Sequence, residues 1–202
     1  MKFKRENEKI YRLKVPFDNL YTSVFLIKAN NNLALVDCAT FDSDVDNYIV
    51  PALSSLNLFL TDIKYLILTH CHEDHAGGIA RILELAPNIE VVQSVKDIDL
   101  SGITLCYLKG HTLDCIGVFD KKSKTLISGD GLQGDGVEKY RCSVINKEEY
   151  LKTIKMIEDD ESIENILFSH AYEPWYKDYA RGREEVKRCL KDCKKTIIGE
   201  NK

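Results

Sequence analysis

At 202 residues, 44% hydrophobic and 30% charged, the chain has the length and composition of a water-soluble globular protein with a substantial core. Its net charge of −4, with lysines and arginines scattered rather than gathered into a stripe, argues against nucleic acid as a partner or substrate. No run approaches the ~20 apolar residues of a membrane span, the start Met1-Lys2-Phe3-Lys4-Arg5-Glu6 carries no secretory pattern, and seven irregularly spaced cysteines do not make a disulfide framework, so one cytoplasmic domain over residues 1–202 without membrane attachment is expected.

The first apolar runs, at residues 11–15, 24–28 and 33–36, are short and separated by polar clusters such as Asn30-Asn31-Asn32, which predicts an antiparallel meander. Residues 42–58 place Val45, Ile49, Leu53 and Leu56 at helical spacing. A strand over 64–69 leads into a loop rich in histidine, and Ala76-Gly77-Gly78 opens a second helix through Leu85, with glycine there letting the backbone pass close to whatever the loop holds. The second half repeats this grammar, with strands at 89–93, 103–108, 115–119, 125–128 and 165–168, a helix over 147–158 and a last helix over 179–194. Helices alternating with two groups of strands point to an α/β protein in which two sheets pack face to face with helices outside. The chain has no internal repeat and no low-complexity tract.

Five histidines are all the chain has, and three fall in the window His70-Cys71-His72-Glu73-Asp74-His75. His70 and His72, two apart at a strand end, can point to the same side, while Asp74 and His75 continue round a turn toward a neighbouring position; the spacing suits two metals rather than one. The other two histidines and one aspartate each end an apolar segment of their own: His111 in Lys109-Gly110-His111-Thr112, Asp130 in Ser128-Gly129-Asp130 and His170 in Phe168-Ser169-His170. Taken singly, each of these is more often a turn or core residue. Taken together, five imidazoles and two carboxylates delivered from strand ends are what a sheet-built metal site requires, because rigid elements hold the donors while loops leave coordination positions open. Cys38, Cys106 and Cys115 read as small core residues, the side chain of Cys71 is expected to point away from its histidine neighbours, and Cys189 with Cys193 reads as one packed helix face.

These residues resemble the metallo-β-lactamase superfamily, whose H-x-H-x-D-H motif is matched by His70, His72, Asp74 and His75, with His111, Asp130 and His170 following in the family's order. The resemblance runs from about Tyr11 to His170 and implies a four-layer αββα sandwich of two mixed sheets flanked by helices. It also implies a first metal on His70, His72 and His111, a second on Asp74, His75 and His170, and Asp130 bridging the two. Asp37 resembles the family's early aspartate that supports the metal loop. The donor set suits zinc and also accepts iron or manganese.

On this resemblance the chain is similar to short glyoxalase II-like hydrolases, in which a metal-bridging hydroxide attacks a small-molecule thioester, ester, lactone or amide. Asp74 would receive the proton, and Asp130 would set the metal separation. Tyr172, two residues beyond His170, is a candidate to stabilise an oxyanion and contact substrate, and Tyr140 with Arg141, in the loop after Asp130, are further candidate substrate contacts. Each also has a plain reading, as a rim aromatic or a solvated arginine. The aromatic cluster Tyr172, Trp175, Tyr176 and Tyr179 leaves open a pocket wall or a homodimer surface.

Several departures narrow the resemblance. His75 and Asp130 stand where class B1 β-lactamases carry other residues, and the 32 residues after His170 are too few for the helical carboxy-terminal domain of longer glyoxalase II enzymes. Seventeen residues between Gln93 and His111 predict a site open on that side. Two other classes remain: a mononuclear iron persulfide dioxygenase using His70 or His72 with His111 and Asp130, although the G-R-T-D stretch of those enzymes is missing, and a metal-binding module without turnover.

Overall fold

The computed structural model describes residues 1–17, 20–30, 32–132, 144–171 and 177–198. They fall into two compact units, the first made of Met1–Ser94 with Ile98–Gly102, the second of Val95–Asp97 with the chain from Ile103 onward.

In the first unit the meander forms as its alternation predicts. Strands β1 (Lys4–Arg5), β2 (Ile10–Phe17), β3 (Leu20–Ala29) and β4 (Asn32–Val36) pair antiparallel in chain order. A helical connection then returns the chain so that β5 (Tyr65–Ile67) and β6 (Glu90–Val92) add in parallel, completing a mixed six-stranded sheet. On one face Leu13, Val15, Val24, Leu26, Leu35 and Leu66 form a core with Val45, Ile49, Leu53 and Ile82 from the connections. The alternate residues Ile10, Phe25 and Ile27 are buried as well, with Arg12 among them, so β3 is buried on both faces over most of its length.

The connection predicted as one helix over 42–58 is broken into α1 (Asp42–Asp44), a π turn (Val45–Ile49) and α2 (Val50–Ser54). The amide of Val50 reaches back five residues to the carbonyl of Val45, and Pro51, which has no amide hydrogen to give, follows at once; the wider turn absorbs a proline that a regular helix interior would reject. After β5 come a single short turn of helix, α3 (Glu73–Ala76), and α4 (Ile79–Leu85), so the glycines divide two helices instead of opening one. No helix among the described residues is long and apolar enough to cross a membrane.

The second unit is a mixed five-stranded sheet. β7 (Ile103–Tyr107), β8 (Ile116–Asp120) and β9 (Thr125–Gly129) form an antiparallel set. The helix α5 (Lys147–Asp159) precedes β10 (Asn165–Phe168), which lies parallel to β9. The Asn146 side chain caps α5, accepting a hydrogen bond from the Glu149 amide at 3.0 Å. Its buried stripe Tyr150, Thr153, Ile154 and Ile157 follows the helical period.

The last helix begins later than the sequence suggests. Tyr179–Arg181 is an edge strand, β11, antiparallel to β10, and α6 (Arg183–Ile198) starts only after Gly182, whose φ of +77° ends the strand. The Gly182 amide donates to Asn165 Oδ1 at 3.2 Å and, within the turn, the Arg181 amide donates to Glu185 Oε2 at 2.7 Å, so pairing with β10 and its Asn165 overrules a helical period that begins at Tyr179 only by coincidence. Val186, Cys189, Leu190, Cys193 and Ile197 of α6 pack with the α5 stripe into a second core.

Leu66 lies in the first core and is fully buried. Replacing it with alanine is expected to destabilise the protein by about 2–5 kcal/mol, read as a lower urea midpoint at unchanged slope.

Candidate metal centre

The site begins where β4 ends. Asp37 and Ala39 both take left-handed backbone conformations, with φ of 63° and 62°, which turns the chain sharply off the strand and sets the Asp37 carboxylate back toward the segment after β5. The Asp37 amide donates to the Ile67 carbonyl at 2.9 Å, and the Cys38 amide to the His75 carbonyl at 2.8 Å. A Cβ on Gly77 would overlap the backbone carbonyl of Thr40, and one on Gly78 the carbonyl of Cys38. Glycine is therefore required here because two backbones touch, not to admit a metal as the sequence suggested.

Fully buried, Asp37 binds three groups on the histidine segment. Its Oδ1 accepts from the Thr69 amide at 2.7 Å, its Oδ2 accepts from the Thr69 hydroxyl at 2.8 Å, and His75 Nδ1 lies 2.8 Å from Oδ2. A carboxylate can only accept, so Nδ1 of His75 carries the proton and Nε2 is left as the donor for a cation. Thr69 extends the same logic. Its one hydroxyl hydrogen goes to Asp37, so the oxygen accepts from His70 Nδ1 at 3.2 Å, which leaves His70 Nε2 as its metal-facing nitrogen. Thr69 was read from the sequence only as the end of a strand; a hydroxyl next to a candidate ligand is the signal that was there to use.

His72 caps the short helix α3, whose first turn carries Asp74 and His75. The His70 ring packs 4.6 Å from that of His72 and 4.1 Å from that of His75, centroid to centroid, and Asp74 Oδ2 lies 3.5 Å from His75 Nε2.

In the second unit the parallel pairing of β9 with β10 sets Gly129 opposite Phe168, so Asp130, the residue after β9, and His170, two residues after β10, emerge at the same end of the sheet. Asp130 Oδ1 lies 3.4 Å from His170 Nε2, and Oδ2 lies 3.8 Å from His111 Nε2. One carboxylate thus addresses two histidines with its two oxygens. His111 is carried by the turn between β7 and β8. There the Gly110 carbonyl accepts from the amides of Ile145 at 2.9 Å and Asn146 at 3.1 Å, and the Thr153 hydroxyl of α5 donates to the Lys109 carbonyl at 2.8 Å. Gly110 has a φ of 140°, and a Cβ there would overlap Tyr150.

The donor atoms fall into two groups. Those of His70, His72 and His111 lie within 4.8 Å of one another, and so do those of Asp74, His75, Asp130 and His170. Asp130, which the resemblance would share between both metals, falls with the second group. His70, His75, His111, Asp130 and His170 are all buried, whereas His72 and Asp74 are only partly so. Buried carboxylates ringed by imidazoles gather negative charge that neutral rings cannot offset, so the chemistry of the set fits divalent cations.

The thiols stand aside. Burial pushes Cys38 far above the ordinary thiol range and Cys115 up to about 12, so both are neutral core residues. Cys71 is exposed and belongs to neither donor group, and Cys189 and Cys193 are buried in the second core. Tyr140, Arg141 and Tyr172, together with Trp175 and Tyr176, lie outside the described residues.

The model of the Metallo-beta-lactamase superfamily matches residues 18–100. A Beta-lactamase-like protein 2 homolog of Caenorhabditis elegans is 26% identical over 71% of this chain and 54% of its own length. The Flavo-diiron protein FprA2 of Clostridium acetobutylicum is 33% identical over 59% of this chain and 27% of its own, and the cytoplasmic hydroxyacylglutathione hydrolase of Arabidopsis thaliana is 26% identical over 56% and 53%. The chain therefore spans about half the length of these relatives, or less. Among solved structures, the metallo-β-lactamase FIM-1 of Pseudomonas aeruginosa in its mono-zinc form superposes with a TM-score of 0.74 at 17% identity, covering 98% of this chain and 96% of that one. The α/β fold of two mixed sheets with helices expected from the sequence is the fold of that structure.

Because Asp37 acts on the donors without belonging to either group, Asp37→Asn is expected to weaken metal binding by roughly 10–100-fold with the circular dichroism spectrum preserved. Competition against a chromophoric chelator measures the effect.

Proposed function

We propose, on the match of the superfamily's model to residues 18–100 and on the shared fold, that the chain is a binuclear metal-dependent hydrolase of the metallo-β-lactamase superfamily, acting on a small-molecule thioester, ester, lactone or amide. The observation that carries this reading is the complete pair of donor groups, with the two oxygens of Asp130 directed to a histidine of each. Likeness to the hydroxyacylglutathione hydrolase supports the thioester end of that substrate range.

In this reading His70, His72 and His111 would hold one cation and Asp74, His75 and His170 the second, with Asp130 available to both. Zinc suits the mixture of imidazole and carboxylate donors best. Two such cations would supply Lewis acidity, bringing the pKa of a shared water toward ~7 and polarising the substrate carbonyl.

The chain's own groups do the rest. The tautomers that Asp37 and Thr69 impose keep His75 and His70 turned the right way through each turnover. Asp130 fixes the separation of the two donor groups. Asp74 keeps 17% of its side chain exposed, more than the carboxylate of Asp130 at 7%, and is assigned the proton released when water is consumed, which it can pass to solvent. Tyr172 is proposed to steady the oxyanion, and Tyr140 and Arg141 to contact the substrate, on their positions in the sequence. A cytoplasmic setting belongs to the same proposal and rests on the cysteine usage.

A second reading, an iron-based oxidoreductase, is favoured by the identity to the flavo-diiron protein. Elemental analysis of protein purified without added metal, combined with a hydrolysis panel and an oxygen electrode, separates the two. The proposal expects zinc, hydrolysis of at least one thioester, ester, lactone or amide, and no oxygen uptake; bound iron with oxygen consumption and no hydrolysis overturns it. Asp130→Ala is expected to lower kcat by roughly three orders of magnitude or more while the fold survives. Hydrolysis unaffected by that substitution would rule out the assigned centre.

A further inference from the structure

The strand that delivers Asp130 carries an irregularity that its sequence does not announce. β9 and β10 pair in step from Thr125 opposite Asn165 to Ile127 opposite Leu167, and then Gly129, not Ser128, stands opposite Phe168. Ser128 is thus one residue more than the partner strand matches, a bulge in a parallel pair, where bulges are rare. Because side chains alternate along a strand, one inserted residue reverses the faces presented by the residues after it. Asp130 comes two positions later, so the direction of its carboxylate depends on the bulge being kept.

The turn that follows is built on the same residue. The Gly131 amide donates to the Ser128 carbonyl at 3.0 Å, which closes a four-residue turn with Gly129, at a φ of 53°, and Asp130 in its two central places. A Cβ on Gly131 would come within 2.6 Å of the Leu108 Cβ, so the turn is seated against the chain three residues before His111. Ser128 is fully buried, and its Oγ lies 3.2 Å from the Gly129 carbonyl oxygen and 3.4 Å from those of Leu132 and Leu167. A hydroxyl has one hydrogen to donate, and here three carbonyls converge on it, one inside the turn, one just beyond it and one on β10.

We propose that Ser128 is a positioning residue, whose hydroxyl holds the bulge of β9 against β10 and so sets the Asp130 carboxylate beside His170. The inference rests on the reading of the donors as a metal centre. Ser128 belongs to neither donor group and acts on the backbone that carries one of the donors.

The test is titration of the metal-free full chain with cobalt(II), followed by its visible absorption, which reports ligand geometry. The parent is expected to take two equivalents. Ser128→Ala should take the same number, with at least one of them bound about tenfold or more weakly and with altered absorption. Ser128→Thr keeps the hydroxyl and should bind as the parent does. Ile166→Val removes one methyl group from the same strand pair without reaching the turn, and should leave both affinities as they are. Unchanged binding in Ser128→Ala overturns the proposal. So does an equal loss in Ser128→Thr, which would make volume rather than the hydroxyl the cause, and an equal loss in Ile166→Val, which would mark a general loosening of the sheet. Those three results leave the metal-centre reading standing, whereas a parent that binds no cobalt overturns that reading and this inference together.

Discussion

A cation site needs its donors aimed before the cation arrives, and here one buried carboxylate does the aiming. Asp37 is fully buried and accepts from an amide, a hydroxyl and an imidazole of a segment more than thirty residues further along the chain. A carboxylate has no hydrogen to give, so each contact has only one possible direction, and that direction fixes the tautomers of His75 and, through Thr69, of His70. The demands on the backbone follow. Two left-handed residues swing the carboxylate into place, and Gly77 and Gly78 let the two segments touch closely enough for the hydrogen bonds to form. Strain at Asp37 and Ala39 is tolerated because the Asp37 and Cys38 amides are both satisfied, by the carbonyls of Ile67 at the end of β5 and of His75.

The second unit meets the same demand through its backbone. There the donors are aimed by backbone pairing: β9 and β10 lie parallel, so the residues after both strands leave in the same direction and Asp130 arrives beside His170. His111 depends on a glycine at its turn, on the amides that open α5 and on a threonine hydroxyl within it. The packing of that helix against α6 in the second core is therefore part of what holds a metal donor still, which links burial of residues such as Tyr150 and Leu190 to the chemistry.

The unequal exposure of the donors divides their tasks. Histidines with buried, hydrogen-bonded rings lose little entropy on binding a cation and suit holding it. In the proposed reaction the proton goes to Asp74, which is partly exposed at the first turn of a short helix. The neutral thiols of Cys38 and Cys115 are kept out of the ligand set by burial, which penalises the thiolate that ligation would need.

Much of this was written in the chain. The types of the seven donors, their order and their positions at the ends of apolar runs needed only residue spacing, because a strand end is where a side chain can be both rigidly held and open to a site. The strands themselves followed from alternation, and α5 from its period and its asparagine cap. What spacing could not reach were outcomes that turn on partners distant along the chain. The π turn before Pro51 is a local exception, set by the proline itself; the strand at Tyr179–Arg181 looks like helix by local period, and the choice was made by pairing with β10, which is available only once that strand is in place. The same holds for Thr69, whose task exists only when Asp37 arrives from another strand, and for the sorting of seven donors into two groups. Sequence determines which groups can bind a cation; tertiary structure decides which nitrogen faces it, because a tautomer is set by a hydrogen bond and that bond joins residues 38 positions apart.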